Sequence, residues 1–445
     1  MRSELWRRVL QMKACVMFMW LFLLLLSLQH APKAGQLHIE RFRLKNGLRC
    51  IIAQVKRAPI VSVSAAVKLG AEHELGAFAS GVRFMLSQAL VTGTRLQQED
   101  DLIQTLSLAG AKLTFSVEPD CLIFHVVSLP QGFDTALQLL SDVLIRPSLD
   151  EQCVEVARRK TLTYQRMLAT TPLLWAKQSV REMLFSGSPY ARPICGYERT
   201  VKRIRREHLL EFFDAYFRAG NMSICVAGDV DIKLVGTHLA AAFRALPSGL
   251  APAVERVKIS PRSEPQHRAR QFYGELAQIL VAFAVPGIND PDAPKLLLLS
   301  SVIGDGMGSR LYKQFREVHG WAYYAKSDYE LGIEFGELLI HVATESRKIE
   351  AVRKALEDIL LELHVKEISV EELKYAKRMA ITKLEMSMQD VSQLSSILAR
   401  LEVNGINPRR LFDLRDSIEA LSAYDVLTAA NRYLRCAAVA ILLPM

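Results

Sequence analysis

The 445-residue sequence contains few of the local patterns that bind metals or phosphates. No two of its ten histidines stand three or four residues apart, so it lacks the pair of ligands that one helix presents to a metal. Its seven cysteines form no C-x-x-C pair, which excludes a zinc ribbon and a thioredoxin-type motif. Gly304, Gly306 and Gly308 predict a loop, but no Lys-Ser or Lys-Thr pair follows to hold a phosphate. These absences exclude the short metal and nucleotide motifs as the basis of function.

The composition is that of a globular protein with a modest positive charge. Half of the residues are hydrophobic and 23% are charged, which favours two or more buried cores and argues against extensive disorder. The formal net charge is +9, and the first 34 residues contribute +4 of it, from five basic side chains and Glu4. Basic runs at 158–160 and 202–206 contain no interleaved aromatic residues. We interpret these runs as solvated helix faces and expect no nucleic-acid partner.

Residues 1–34 are typical of a secretory leader. Basic side chains precede the apolar run 16–28, whose roughly 13 residues are fewer than the ~20 that cross a membrane as a helix. Ala31 and Ala34 permit cleavage, although Pro32 lies close to the second of them. We interpret the leader as a signal peptide or, if it is not cleaved, as a signal anchor. The expected location is the periplasm, with attachment to the inner membrane only through an uncleaved leader.

Several cysteines lie in apolar, strand-like segments, as Cys121 and Cys225 do. Such positions favour buried free thiols. The alternative is that the six cysteines after the leader form disulfides, which an exported protein permits.

The rest of the chain contains an internal repeat. Its two copies place a strand-like segment and a helix at 121–129 and 133–145, and again at 337–345 and 349–363. His125 and His341 hold matching places in the two strands, and a capped helix start and a second helix follow in both copies. The order of elements therefore indicates two related halves.

These patterns predict an α+β fold of two homologous α/β-sandwich halves, each with a sheet covered by helices. The first half is expected at 36–246 and the second at 272–445. The range 247–271 between them is rich in proline, serine and charge and has no long period, so we interpret it as a linker.

Residues 81–94 read G-V-R-F-M-L-S-Q-A-L-V-T-G-T within a helical apolar pattern. The segment resembles the first-domain helix of the M16 zinc peptidases (pitrilysin-like and mitochondrial-processing-peptidase-like), which typically reads G-x-x-H-F-L-E-H-x-x-F-x-G-T. The resemblance puts Phe84 and Gln88 in place of two zinc-binding histidines and Ser87 in place of the catalytic glutamate. Phenylalanine has no lone pair to donate, glutamine is a poor zinc ligand, and serine is no base at neutral pH.

The family's third zinc ligand and its substrate-binding edge strand also differ here. Counted from Gln88 along the family's spacing, the third ligand falls on Gln165, or on Tyr164 if the alignment shifts by one, and neither is a carboxylate. The resemblance therefore implies no metal in this chain. Phe115 stands where the family's edge strand has a small alanine. It either intrudes where a substrate backbone would bind or, in a shifted register, lies in the core.

The second half contains a different sequence motif of the family. Residues 304–324 match the family pattern S-x-L-[FY]-x-x-[LV]-R-E-x-x-G-L-A-Y at Ser309, Leu311, Arg316, Glu317, Gly320, Ala322 and Tyr323. In the family, an arginine and a tyrosine with the spacing of Arg316 and Tyr323 face the zinc site, hold substrate and polarise its scissile carbonyl. The alternative is that Arg316 pairs with Glu317 or another acid while Tyr323 packs at the start of a strand.

The resemblance covers nearly all of 36–445 and implies a bowl-shaped half-clamshell. It implies a non-catalytic subunit of a heterodimeric M16 zinc metalloendopeptidase, with zinc on a homologous partner that carries H-x-x-E-H and with peptides as substrates. This chain would contribute Arg316 and Tyr323 and would be inactive alone. The alternative is a non-proteolytic peptide-binding or scaffold protein with the same fold. An active peptidase with another metal site is disfavoured, because the ligands and the base are missing together.

Overall fold

The structure, a computed structural model, describes residues 37–56, 58–74, 80–254, 257 and 264–445. The leader predicted at 1–34 lies outside these residues, as does part of the predicted linker. Within the described ranges, no helix is both long enough and apolar enough to cross a membrane.

The strands form two sheets. The first sheet consists of β1 (His38–Arg43), β2 (Arg49–Gln54), β3 (Val61–Val67), β4 (Ala111–Val117), β5 (Leu122–Ser128) and β6 (Met222–Gly228). The second consists of β7 (Gln266–Phe272), β8 (Ala277–Pro286), β9 (Ala322–Glu330), β10 (Phe335–Thr344) and β11 (Ala438–Pro444).

Helices cover both sheets. Those before the linker are α1 (Val82–Leu90), α2 (Glu99–Leu108), α3 (Phe133–Ile145), α4 (Glu151–Thr170), α5 (Pro172–Leu184), α6 (Glu198–Val201), α7 (Arg206–Tyr216) and α8 (Ile232–Ala242). Those after it are α9 (Ala293–Gly304), α10 (Arg310–Tyr312), α11 (Ile349–Val365), α12 (Val370–Gln389), α13 (Val391–Val403), α14 (Arg410–Ala420) and α15 (Ala423–Tyr433). A π-helical turn, Lys313–Val318, follows α10 directly.

From β2 onward, the six-stranded first sheet has the same strand order and pairing pattern as the five-stranded second sheet. The orders are β1-β2-β6-β3-β5-β4 and β7-β11-β8-β10-β9. Among the strands of the described ranges, β2 and β6 are the parallel pair of the first sheet, and β7 and β11 are the parallel pair of the second. Strands β4 and β9 are therefore matching edges, and the expected α+β fold of two sheet-and-helix halves is confirmed.

One helix of each half covers the sheet of the other half. Helix α13 of the second half packs against β3 and β6 of the first sheet, where Leu394 and Leu398 share a buried cluster with Ile51, Ala66 and Cys225. Helix α5 of the first half packs in the same way on β8 and β11 of the second sheet. The halves are therefore joined by a shared core.

This exchange explains why β3 departs from its sequence pattern. The alternation of Val61–Val67 predicts a strand with one buried face, yet every residue of β3 is buried. Ser62 and Ser64, on the face that alternation assigns to solvent, each lie 2.8 Å from the hydroxyl of Ser395 on α13. The polar face of β3 is thus covered by helix α13, which places the polar side chain of Ser395 against it.

The second sheet begins inside the range assigned to the linker. Strand β7, Gln266–Phe272, pairs along its length with β11, although 247–271 was interpreted as a connection. Most of its side chains are exposed because it is an edge strand, so it lacks the apolar alternation that marks a strand in sequence.

The cysteines of the described ranges are free thiols. Five of them are buried, and Cys436 is half-buried. Burial raises the pKa of the Cys50 and Cys195 thiols to about 12, which keeps them protonated and unreactive at neutral pH.

Candidate functional site

Helix α1 carries three of the four positions that the family resemblance assigns to a degenerate metal site, and several contacts hold the start of this helix. Gly81 precedes the helix with a φ of 93°, and a Cβ there would lie 2.6 Å from the carbonyl oxygen of Cys195. The Glu74 carboxylate accepts hydrogen bonds from the backbone N–H groups of Gly81 and Arg83 at 3.2 and 3.1 Å. Buried Arg83 adds hydrogen bonds to the carbonyls of Leu69 and Glu118. The helix therefore keeps a defined position against the sheet.

Phe84 lies in a cluster of aromatic rings. Its side chain is 5% exposed and stacks on Tyr164, with ring centroids 4.8 Å apart and 28° between the planes. The ring of Phe115, on edge strand β4, lies edge-on at 5.9 Å and itself contacts buried Phe124. Burial raises the pKa of Tyr164, so its phenol stays neutral. Phe115 therefore packs toward the core, which is the second of the two alternatives that the sequence left open.

Ser87 and Gln165 are engaged in structural hydrogen bonds. The Ser87 hydroxyl is buried and donates to the carbonyl of Arg83 at 3.0 Å, one helical turn back. The Gln165 amide donates to the carbonyls of Cys195 and Gly196 at 2.8 and 3.0 Å. Of the two alternatives for the third ligand position, Tyr164 is the one that the structure brings against Phe84. Gln88 is half-buried on the same helix.

These residues do not fit a zinc ion. Zinc in proteins takes thiolate, imidazole or carboxylate ligands, and Phe84, Gln88 and Tyr164 supply none of them. Across the part of the chain that the structure describes, no group of three histidine, cysteine or acidic side chains is placed to hold a metal. Stacked rings take up the space between α1, α4 and β4 instead.

Arg316 and Tyr323 are brought together at the open edge of the second sheet. Arg316 lies in the π-helical turn and Tyr323 at the start of edge strand β9. The guanidinium carbon of Arg316 lies 5.8 Å from the centroid of the Tyr323 ring and 5.5 Å from that of Tyr312. Such distances are those of cation–π contacts. The Tyr323 side chain is 79% exposed.

Arg316 has no acidic partner among the described residues. The alternative in which it pairs with Glu317 is therefore not what the structure shows, and Tyr323 does not pack at the strand start. The turn between them is held by backbone contacts, with the Trp321 N–H donating to the Phe315 carbonyl at 2.7 Å. A π-helical turn is rare and is often found at functional sites.

The two matching histidines are structural. His125 Nδ1 lies 2.7 Å from the Ser64 hydroxyl, within the network that includes Ser395 of the exchanged helix α13. His341 Nε2 lies 3.0 Å from the Gln278 amide oxygen, and burial lowers the pKa of His341 to about 4. Both histidines are thus neutral hydrogen-bonding groups at physiological pH. The sequence showed their matching places but not the serines that surround His125.

Two family models match the chain. The one described as Insulinase (Peptidase family M16) matches residues 49–197, and the one described as Peptidase M16 inactive domain matches residues 203–380. These ranges together cover well over half of the sequence. The chain belongs to peptidase family M16, as its sequence patterns indicated.

Similar proteins support the same assignment. An uncharacterised zinc protease of Mycobacterium tuberculosis is 25% identical over 410 residues, covering 91% of this chain and 92% of that protein. An uncharacterised zinc protease of Rickettsia felis is 23% identical over 399 residues, covering 88% and 93%. The crystal structure of a protease from Helicobacter pylori has a TM-score of 0.82 at 19% identity and covers 92% of this chain and 100% of that one. A peptidase M16 inactive domain from Pseudomonas fluorescens has a TM-score of 0.81 at 20% identity, covering 92% and 98%.

Proposed function

We propose that this chain is the non-catalytic subunit of a heterodimeric M16 zinc endopeptidase. A homologous subunit carrying H-x-x-E-H would hold the zinc, its ligands and the general base, and this chain would contribute Arg316 and Tyr323. A contrast between two places carries the proposal. Aromatic rings pack at the positions that correspond to the family's metal site, whereas among the described residues the Arg316 guanidinium has no acidic partner and lies beside an exposed tyrosine.

The chemistry of the pair suits a peptide substrate. A guanidinium presents a rigid fork of N–H donors that matches a peptide carbonyl or a carboxylate. The Tyr323 hydroxyl can donate to the oxygen on which negative charge develops as a peptide bond is attacked, and such a donor is worth about 3 kcal/mol in the transition state. The cation–π contacts with Tyr312 and Tyr323 restrict the guanidinium without neutralising it.

The proposed substrates are peptides or unfolded segments small enough to enter a chamber between two bowl-shaped subunits. The proposed compartment is the periplasm, which rests on the leader at 1–34 alone. Zinc would be a cofactor of the partner and not of this chain.

The test is peptidase activity on a quenched fluorescent peptide library, measured for this chain alone and mixed with a candidate H-x-x-E-H partner. We expect no activity alone and activity in the mixture. Because a positioned donor is worth about 3 kcal/mol, Arg316→Ala and Tyr323→Phe should each lower kcat/KM about 100-fold in the mixture. Arg347→Ala and Tyr424→Phe replace an exposed arginine and an exposed tyrosine elsewhere and serve as matched controls.

Three results would contradict the proposal. Activity of this chain alone that chelation abolishes would mean that it holds its own metal site. Equal losses in the control variants would mean that Arg316 and Tyr323 have no special role. A stable complex that cleaves nothing would favour the other candidate, a non-proteolytic peptide-binding or scaffold protein.

A further inference from the structure

A cavity of about 280 Å³ lies among the helices of the second half. Its walls come from α9, α12, α13 and α14 and from the loop 331–333 that follows β9. None of its lining residues belongs to the aromatic cluster around Phe84 or to the pair formed by Arg316 and Tyr323. It is therefore a separate feature that the proposed peptidase role does not use.

The walls of this cavity are apolar, and several of them remain partly accessible to solvent. Leu297, Leu331, Leu384 and Ile397 line it, and each of the four is only half-buried. An apolar molecule in the cavity would remove this surface from water, which is favourable because of the hydrophobic effect. The volume is nearly twice that of the ~150 Å³ engineered cavity that binds benzene, so an apolar chain of about eight carbons would fit.

One end of the cavity is polar. Asp305 is 6% exposed, and within the described part of the chain its carboxylate accepts two long hydrogen bonds, from Ser301 at 3.2 Å and from Lys383 at 3.5 Å. An ionised carboxylate has about four lone-pair positions, so it retains capacity for another donor. Lys383 donates a shorter bond of 2.7 Å to Asp328, which also pairs with Lys326.

The charges at this end are balanced. Two lysines, Lys326 and Lys383, face two aspartates, Asp305 and Asp328, so neither an anionic nor a cationic head group would find an uncompensated partner. Arg400 also lines the cavity but is committed to Asp120, with its Nε at 3.0 and 3.1 Å from the two carboxylate oxygens. A hydroxyl fits best, because it can donate to Asp305 and accept from Lys383 at once.

We propose that this cavity binds a neutral amphipathic small molecule, an aliphatic alcohol whose chain lies against the leucines and whose hydroxyl lies between Asp305 and Lys383. The selectivity for a neutral head follows from the charge balance, and the selectivity for length follows from the volume. Binding would take place next to Arg400 and Leu331, where the second half meets Asp120 of the first.

The test is isothermal titration calorimetry of the full chain with 1-octanol, octanoate and octylamine. We expect saturable binding of one 1-octanol per chain, about tenfold tighter than either charged analogue, because each charged head must compete with an ion pair that has already formed between Lys383 and Asp305 or Asp328. Ala380→Phe places a ring into the cavity wall and should abolish binding. Ala355→Phe makes the same change in a different surface pocket, beside Arg310 and Glu362, and should leave the affinity unchanged.

A second variant keeps the proposal testable if Ala380→Phe does not fold. Asp305→Asn removes one negative charge beside Lys383, so the preference for 1-octanol over octanoate should fall about tenfold or reverse. The proposal is overturned if 1-octanol gives no saturable heat with the folded chain, or if octanoate binds as tightly as 1-octanol to the unaltered protein. It is also overturned if a folded Ala380→Phe protein binds 1-octanol like the wild type.

Discussion

At the scale of single residues, a packed cluster of aromatic rings occupies the positions that the resemblance to the M16 peptidases assigns to a metal site. Phe84 stands where the family has a histidine, and Tyr164 and Phe115 close around it. Aromatic pairs of this kind contribute dispersion and burial that a solvent-facing metal site does not. These aromatic side chains therefore contribute to the stability of the first half.

Phe84→Ala should lower the free energy of unfolding by about 3–5 kcal/mol, because it removes a buried ring and leaves a cavity. Tyr323→Ala is the matched control, and its 79% exposed side chain should change stability by less than about 0.5 kcal/mol. Urea unfolding of both variants checks this. A Phe84→Ala protein as stable as the wild type would show that the ring does not support the cluster.

The buried histidine His341 makes stability depend on pH. Burial, with a smaller effect from Lys177, lowers the pKa of His341 from 6.5 to about 4, so the unfolded chain binds more protons there than the folded protein between these values. The native state is therefore favoured above pH 6.5, and that advantage is lost as the pH falls toward 4. The expected loss from this one group is about 2–3 kcal/mol at pH 4.5.

His341→Gln should remove that contribution. The measurement is the free energy of unfolding in urea between pH 7 and pH 4.5, for the wild type and the variant. The variant should lose about 2 kcal/mol less than the wild type over this range. Parallel curves would mean that His341 titrates alike in the folded and unfolded chains.

At the scale of elements, the exchange of helices α5 and α13 decides which surfaces are buried. Leu398 on α13 is fully buried against the first sheet, with Ile51 and Ala66 in the same cluster. The Ser223 hydroxyl on β6 donates to the Ala399 carbonyl of α13 at 2.7 Å, which adds a polar contact across the halves. A helix encoded near the end of the chain thus supports strands encoded near its beginning.

Leu398→Ala should destabilise the protein by about 2–5 kcal/mol, as other buried leucine truncations do. Since α13 covers β3 and β6, amide hydrogen exchange should rise in those first-half strands as well as in α13 itself. Leu361→Ala, an exposed leucine on α11, is the control and should leave exchange unchanged. Faster exchange confined to the second half would contradict the role given to the exchanged helix.

At the scale of the whole molecule, the two halves are joined by shared buried clusters, from which we expect them to unfold as one cooperative unit. Each sheet is covered on one face by helices of its own half and on the other face by a helix of the other half. That helix is α13 for the first sheet and α5 for the second. Ion pairs cross the same boundary, as between Arg181 on α5 and Glu337 on β10, at 2.6 Å. If either half folded alone, an apolar sheet face and charged groups that are now buried between the halves would be exposed to water.

The two halves, taken as 36–246 and 264–445 so that the second includes β7, should therefore not fold independently. Expressed alone, each should be aggregated or lack a cooperative unfolding transition, and co-expression should restore a soluble one-to-one complex. Size-exclusion chromatography and far-ultraviolet circular dichroism with thermal unfolding check this. A monomeric 36–246 fragment with a sharp unfolding transition would contradict it.

The amino-acid sequence by itself determined the secondary-structure elements. It also determined which side-chain types stand at the positions that correspond to the family's metal site. Apolar periodicity placed the helix at 133–145, and the side-chain types at 84 and 88 argue against zinc ligation while that at 87 argues against a general base. The position of a helix in the sequence depends on interactions between residues a few turns apart, and the periodicity of apolar residues reports those interactions. The spacing of Arg316 and Tyr323 was equally readable, and their roles in a partner's active site stay a prediction.

Only the tertiary structure decided which distant residues meet. It brought Tyr164, and not Gln165, against Phe84, and it laid α13 on the sheet of the other half. Within the ranges that the structure describes, it gave Arg316 no acidic partner. It also made an exposed stretch of the presumed linker into strand β7. These outcomes depend on contacts between segments separated by tens to hundreds of residues, and a local pattern carries no information about which surface will cover it.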